Sequence, residues 1–150
     1  MKDYSIYLFG SPDSFLNSSD SLYERLENTG ADIYINLGLE SFYQNTLDYI
    51  RKPITEQQVH QSFNRMMEIN HRFNHIEITA NFVLGDNLPS DHYSKFIQIA
   101  RDGVNKPQIK GTLYFSPLLS NNFSKNIFFY FNQIKRLSRY PTFLYTIQRL

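Results

Sequence analysis

Apolar residues along this chain fall into two rhythms that alternate. "YSIYLFG" (4–10) is a short continuous apolar run stopped by Gly10, the form of a strand buried on both faces. "SSDSLYERLENTG" then turns helical: Leu22 and Leu26 share a face, Ser21 and Glu24 suit a capping box, and Gly30 supplies the stop. "ADIYINLGLE" predicts a second strand, with "YINLGL" almost fully buried. "SFYQNTLDYI" predicts a helix capped by Ser41, answered by Gln44 and broken by Pro53. Thr55 opens another helix with Gln58 in the reciprocal position, and Val59, Phe63, Met66 and Met67 recur at helical spacing. The methionines read as core filler.

The third strand carries the clearest alternation. In "HIEITANFVLG" (75–85), Ile76, Ile78, Ala80 and Phe82 fall on one side and Glu77, Thr79 and Asn81 on the other. Polar residues inside a strand imply a face that lines a cavity rather than a dry core. "SDHYSKFIQIARDG" predicts a helix stopped by Gly103, and "QIKGTLYFSPLL" a fourth strand ended by Pro117. "NNFSKNIFFYFNQIKRLSR" sets Phe123, Ile127, Tyr130, Phe131 and Ile134 on one helical stripe, ended at Tyr140-Pro141. Strand and helix alternate four times, with no repeat and no linker. The expected class is α/β: one domain over residues 1–150, built of four βα units on a parallel sheet.

In such folds ligands gather where strands end and helices begin. The loops there are "GSPDSFLNSS", "GLES", "GDNLPSD" and "SPLLSNN", each rich in Gly, Ser, Asn, Asp or Pro. The opposite connections, "NTGAD", "HRFNH" and "GVNKP", look like plain joins. Glu40 therefore stands on a candidate ligand edge beside Ser11, Asp13, Asn81, Asp86 and Ser116. Each has a structural explanation too: glycines serve turns, Ser41 serves a cap, and Glu40 complements the start of the next helix. No Walker loop, GxGxxG, HExxH or GxSxG occurs, and His60, His71, His75 and His92 are scattered.

Composition narrows the chemistry further. The chain has no cysteine, which excludes disulfides, thiol nucleophiles and thiolate-held iron–sulfur clusters within it. No apolar stretch approaches the ~20 residues of a membrane span and the start has no signal-peptide layout, so a cytoplasmic protein is expected. All 14 acids precede Gly103, and the seven basic residues after it face none in sequence. A basic tail of that kind suits nucleic acid, but its many aromatics read as core, and the two halves of one body neutralise each other.

The segments "YINLGLES", "TLDYIRKPIT", "EITANFVLGDNLP" and "KGTLYFSPL" resemble the later strands of radical SAM enzymes, and the resemblance runs on to the closing "LSRYPTFLYTIQRL". It implies that the four strands are the third to sixth of a TIM-like partial (βα)6 barrel. On that likeness the cofactor-binding residues are Gly10, Ser11, Glu40, Ser41, Asn81, Gly85 and Ser116. Glu40 and Ser41 would meet the ribose or methionyl part of S-adenosylmethionine, and Asn81 and Gly85 the adenine. The CxxxCxxC that holds the family's 4Fe–4S cluster is missing, as is the glycine-rich segment after its second strand. The chain is therefore expected to form the C-terminal part of a radical SAM protein, bound to S-adenosylmethionine weakly or not at all, without a cluster, and inactive alone. The alternative is a non-catalytic module that self-associates through an open half-barrel edge. Either way the expected partner is a second copy or a missing N-terminal half.

Overall fold

The computed structural model describes residues 4–101, 110–118 and 124–145. Five strands form one sheet in the order in which they occur in the chain, every neighbouring pair parallel. They are β1 (Ser5–Gly10), β2 (Asp32–Glu40), β3 (Ile76–Leu84), β4 (Leu113–Pro117) and β5 (Thr142–Leu144). The helices between them are α1 (Pro12–Leu16), α2 (Asp20–Glu27), α3 (Gln44–Tyr49), α4 (Glu56–Arg72), α5 (Asp91–Arg101) and α6 (Lys125–Leu137). Among the described residues no helix is long and apolar enough to cross a membrane.

The α/β class with a parallel sheet is as read from the pattern, but the sheet has five strands rather than four. Thr142–Leu144 is too short to show a period, and β5 exists because Leu113 and Phe115 offer it a ladder. The helix α1 is also new: Pro12 stands at its start and the Ser11 hydroxyl accepts from the Ser14 amide. The capping box at Thr55 and Gln58 is present in full. The one expected at Ser21 and Glu24 is not. Ser19 precedes α2, Ser21 Oγ lies 2.8 Å from Ser19 Oγ, and Glu24 pairs with Arg72 instead. Gly103, "GVNKP" and Phe123 lie outside the described residues.

Alternation divides the sheet into two unlike faces. Ile33, Leu37 and Leu39 of β2, Ile76 to Leu84 at every second position of β3, and Leu113 and Phe115 of β4 are buried under the helices. Phe82 sits at the middle of this layer, its ring 5.0 Å from Phe42, 4.6 Å from Phe96 and 5.7 Å from Phe115. The opposite face carries Tyr7, Phe9, Tyr34, Asn36, Glu77, Asn81, Tyr114, Ser116 and Phe143, half-buried or exposed. So "YINLGL" is not almost fully buried: Tyr34 and Asn36 look out while Leu37 and Leu39 look in. Nor is β1 enclosed on both faces, since every residue from Ser5 to Phe9 is exposed. An unbroken apolar run does not tell a central strand from an edge.

One buried side chain completes the sheet where a strand falls short. The β3–β4 ladder begins only at Ala80, so Ile78 lacks a strand partner on that side. Asn70 of α4 replaces it, accepting from the Ile78 N–H at 2.6 Å and donating to its carbonyl at 2.8 Å. Gly111, at φ +113°, leaves room for this amide; a Cβ there would lie 2.6 Å from Asn70 Nδ2. Asn70→Ala strands two buried backbone groups and is expected to lower unfolding free energy by about 2–4 kcal/mol in urea titration. A loss below about 0.5 kcal/mol would mean water replaces the amide without cost.

Candidate functional site

The carboxyl end of β2 is shaped by an unusual turn. The ladder to β3 slips between Gly38 and Glu40, and Glu40 takes φ +65°, the left-handed region that non-glycine residues avoid. The turn folds the Glu40 carboxylate back over Gly38, where Lys52 Nζ meets Oε1 at 3.0 Å. A Cβ on Gly38 would lie 2.8 Å from that oxygen and 3.2 Å from Nζ, so the glycine is what admits the ion pair to the open face. Arg51, beside Lys52, is the other described non-glycine residue at positive φ (57°). Strain of this kind concentrates at functional positions.

Next to Gly38 in the ladder stands Asn81, and next to Asn81 stands Tyr114. Asn81 Oδ1 accepts from Ser116 Oγ at 2.7 Å, which leaves the Asn81 amide nitrogen to donate elsewhere. Toward the other end of the strands, Asn36 donates to Thr79 at 2.9 Å and Thr112 to Glu77 at 3.1 Å. Aromatic rings flank this polar centre. Tyr7 and Tyr34 stack at 5.1 Å on one side, and Tyr114 approaches Phe143 at 6.4 Å and Tyr145 at 6.3 Å on the other. The arrangement offers a carboxylate, an amide donor, hydroxyls and ring faces on one side of the sheet.

Glu40, Asn81 and Ser116 thus come together on neighbouring strands, but the other sequence candidates do not join them. Gly10 ends β1 and Ser11 is spent on capping α1. Asp13 bonds Asn17, and Asp86 accepts from Ser124. Gly85 is buried, with its N–H and carbonyl both bonded to the Tyr93 hydroxyl at 2.9 and 3.0 Å. Ser41 is fully buried and does not cap α3; that helix begins after Tyr43, and the Gln44 side chain bonds the Glu56 backbone instead.

The partner of Ser41 is a residue the sequence left among scattered histidines. His92, 1 % exposed at the start of α5, places Nδ1 2.9 Å from Ser41 Oγ and Nε2 3.0 Å from the Val83 carbonyl. A carbonyl can only accept, so Nε2 carries the proton and Nδ1 accepts from the serine. Ser41 in turn accepts from the Tyr43 N–H at 3.0 Å. Burial lowers the His92 pKa to about 4, against the weaker opposing effect of the Val83 bond. Every polar atom of the pair is used, so it is a pin: it fixes the turn that presents Glu40 to the ends of β3 and α5. Lys52 was missed as well, and only the adjoining backbone strain marks it.

On the helix side of the sheet, a cavity of about 360 Å³ lies between α4, α5 and the turn before β5. Phe42, Phe63, Met67, Phe96 and Tyr140 line it, and none of the candidate residues reaches it. No protein-family model matches the chain, and no curated protein matches it in sequence.

Proposed function

We propose that the open face, at the carboxyl ends of β2, β3 and β4, holds the adenosyl portion of S-adenosylmethionine, in a sheet that is the later part of a radical SAM-like barrel. The observation that carries this reading is the Glu40 carboxylate held over Gly38, with Asn81 next to Gly38 in the ladder and Ser116 bonded to Asn81. A strained turn and an ion pair hold a carboxylate beside an amide and a hydroxyl, at the strand ends where parallel sheets bind ligands. The five parallel strands in sequential order are compatible with part of a TIM-like barrel. Their number exceeds the four that the resemblance implies.

The donor set fits one part of the cofactor and not another. A carboxylate suits a ribose diol, and the Asn81 amide with the Tyr114 ring suits an adenine edge and face. The iron–sulfur cluster that supplies an electron to the sulfonium in radical SAM enzymes finds no thiolate here, because the chain contains no cysteine. Among the described residues no group of three His, Asp or Glu side chains could hold a metal. On this reading the 150 residues bind and orient, and the chemistry needs a cluster-bearing segment beyond them.

Binding by this part alone is weak, because each absent charge-assisted contact removes roughly 1.5–3 kcal/mol. The dissociation constant is expected on the order of a millimolar. Saturation transfer from the protein to S-adenosylmethionine should reach the adenine and ribose protons most, and Glu40→Gln should diminish it. Transfer concentrated on the methionyl protons, or none at millimolar ligand, would overturn the assignment.

A further inference from the structure

β1 stands apart from the other strands because neither its faces nor its outer edge is covered. Tyr7 and Phe9 are 71 % and 88 % exposed on the open face, and Ile6 and Leu8 are each 41 % exposed on the helix face. Among the described residues no strand pairs with its outer side. Natural edges are blunted by Lys, Pro or a bulge. "SIYLFG" has no charge and no proline, and its register to β2 is unbroken.

The directions of the backbone groups on this edge are determined. The Asp32 N–H donates to the Tyr4 carbonyl at 3.0 Å. In a parallel ladder the amides of Tyr4, Ile6 and Leu8 therefore turn toward β2, and those of Ser5, Tyr7 and Phe9 turn outward. Outward groups at alternate residues are what an added strand needs.

We propose that this edge pairs with β1 of a second copy of the chain, antiparallel, about a two-fold axis at Tyr7. In that register Tyr7 exchanges both hydrogen bonds with the partner's Tyr7, Ser5 with the partner's Phe9, and Phe9 with the partner's Ser5. Every outward donor and acceptor of the strand is then used, and none of the β2 ladder is disturbed. The same register sets Ile6 against the partner's Leu8 on the helix face, so apolar surface meets apolar surface. A two-fold contact requires such self-complementarity. The proposal does not rest on the cofactor reading and competes with one part of it, because a preceding barrel strand would occupy this same outer edge of β1. A parallel strand from a different polypeptide would use the same outward amides but would not place Tyr7 opposite itself.

Light scattering coupled to size exclusion, on the full chain at micromolar concentration, tests this. The wild type is expected to be a dimer. Tyr7→Lys and Tyr7→Glu each set like charges opposite one another and should give folded monomers with unchanged circular dichroism. An equal mixture of the two should return to dimer, because Lys then faces Glu. Tyr7→Pro removes an outward N–H that β2 does not use, and it too should be monomeric. If the proline variant does not fold, the two charge variants decide alone. A monomeric wild type, a dimer that survives both charge substitutions, or a mixture that stays monomeric overturns the proposal.

Discussion

Phe82→Ala should lower the unfolding free energy by about 3–5 kcal/mol. Phe82 is fully buried, and the rings around it come from three separate elements: Phe42 before α3, Phe96 on α5 and Phe115 on β4. Closing the void would require β4, α5 and the turn before α3 to move together, which a close-packed interior resists. Phe82→Leu keeps most of the volume and should lose clearly less. Truncating the exposed Phe9 or Phe143 should cost little by comparison. Urea midpoints at constant slope measure all four, and a Phe82→Ala loss under about 1 kcal/mol would place the core elsewhere.

Lowering the pH from 6.5 to 4 should remove about 3 kcal/mol of stability through His92 alone. Its folded pKa, about 4, lies below the ordinary histidine value of 6.5 because burial disfavours the cation. Between those two values the unfolded chain takes up a proton that the folded chain refuses, so stability falls as the pH falls. Protonation would also turn Nδ1 into a donor, leaving it no lone pair for the Ser41 hydroxyl. The ring faces only neutral groups in the contacts described: Ser41, the Val83 carbonyl and the Tyr93 ring at 4.7 Å. His92→Gln cannot titrate. The difference between wild-type and variant unfolding free energy should therefore shrink through this window, and a difference that stays constant would show that His92 is not held neutral by its surroundings.

Period and length carried most of the fold into the sequence. The alternation of Ile76, Ile78, Ala80 and Phe82 with Glu77 and Asn81 shows in β3 as buried against half-buried positions, although Thr79 on the polar side is buried too. Long helices such as α4, with a capping box and an apolar stripe, were equally plain. Position within the sheet was not plain, because "YSIYLFG" has the composition of a central strand and lies at an edge. The site was legible only where its residues sit in regular structure. Asn81 and Ser116 follow from strand parity, whereas the pairing of Glu40 with Lys52 depends on two left-handed residues, and nothing local to Glu40 or Arg51 announces that conformation. The contact between Ser41 and His92 spans 51 positions of sequence, and serine before a helix reads first as a cap.

The most direct test of the cofactor assignment asks where on the protein the ligand lands. Backbone amide spectra of the isotopically labelled chain, titrated with S-adenosylmethionine to millimolar concentration, should show saturable shifts at Gly38, Glu40, Lys52, Asn81 and Ser116. The amides around Val59, Phe63 and Met67, on the opposite side of the sheet, should stay in place. Shifts confined to that helix side, at the cavity between α4 and α5, or no shift anywhere, would contradict the assignment of the open face.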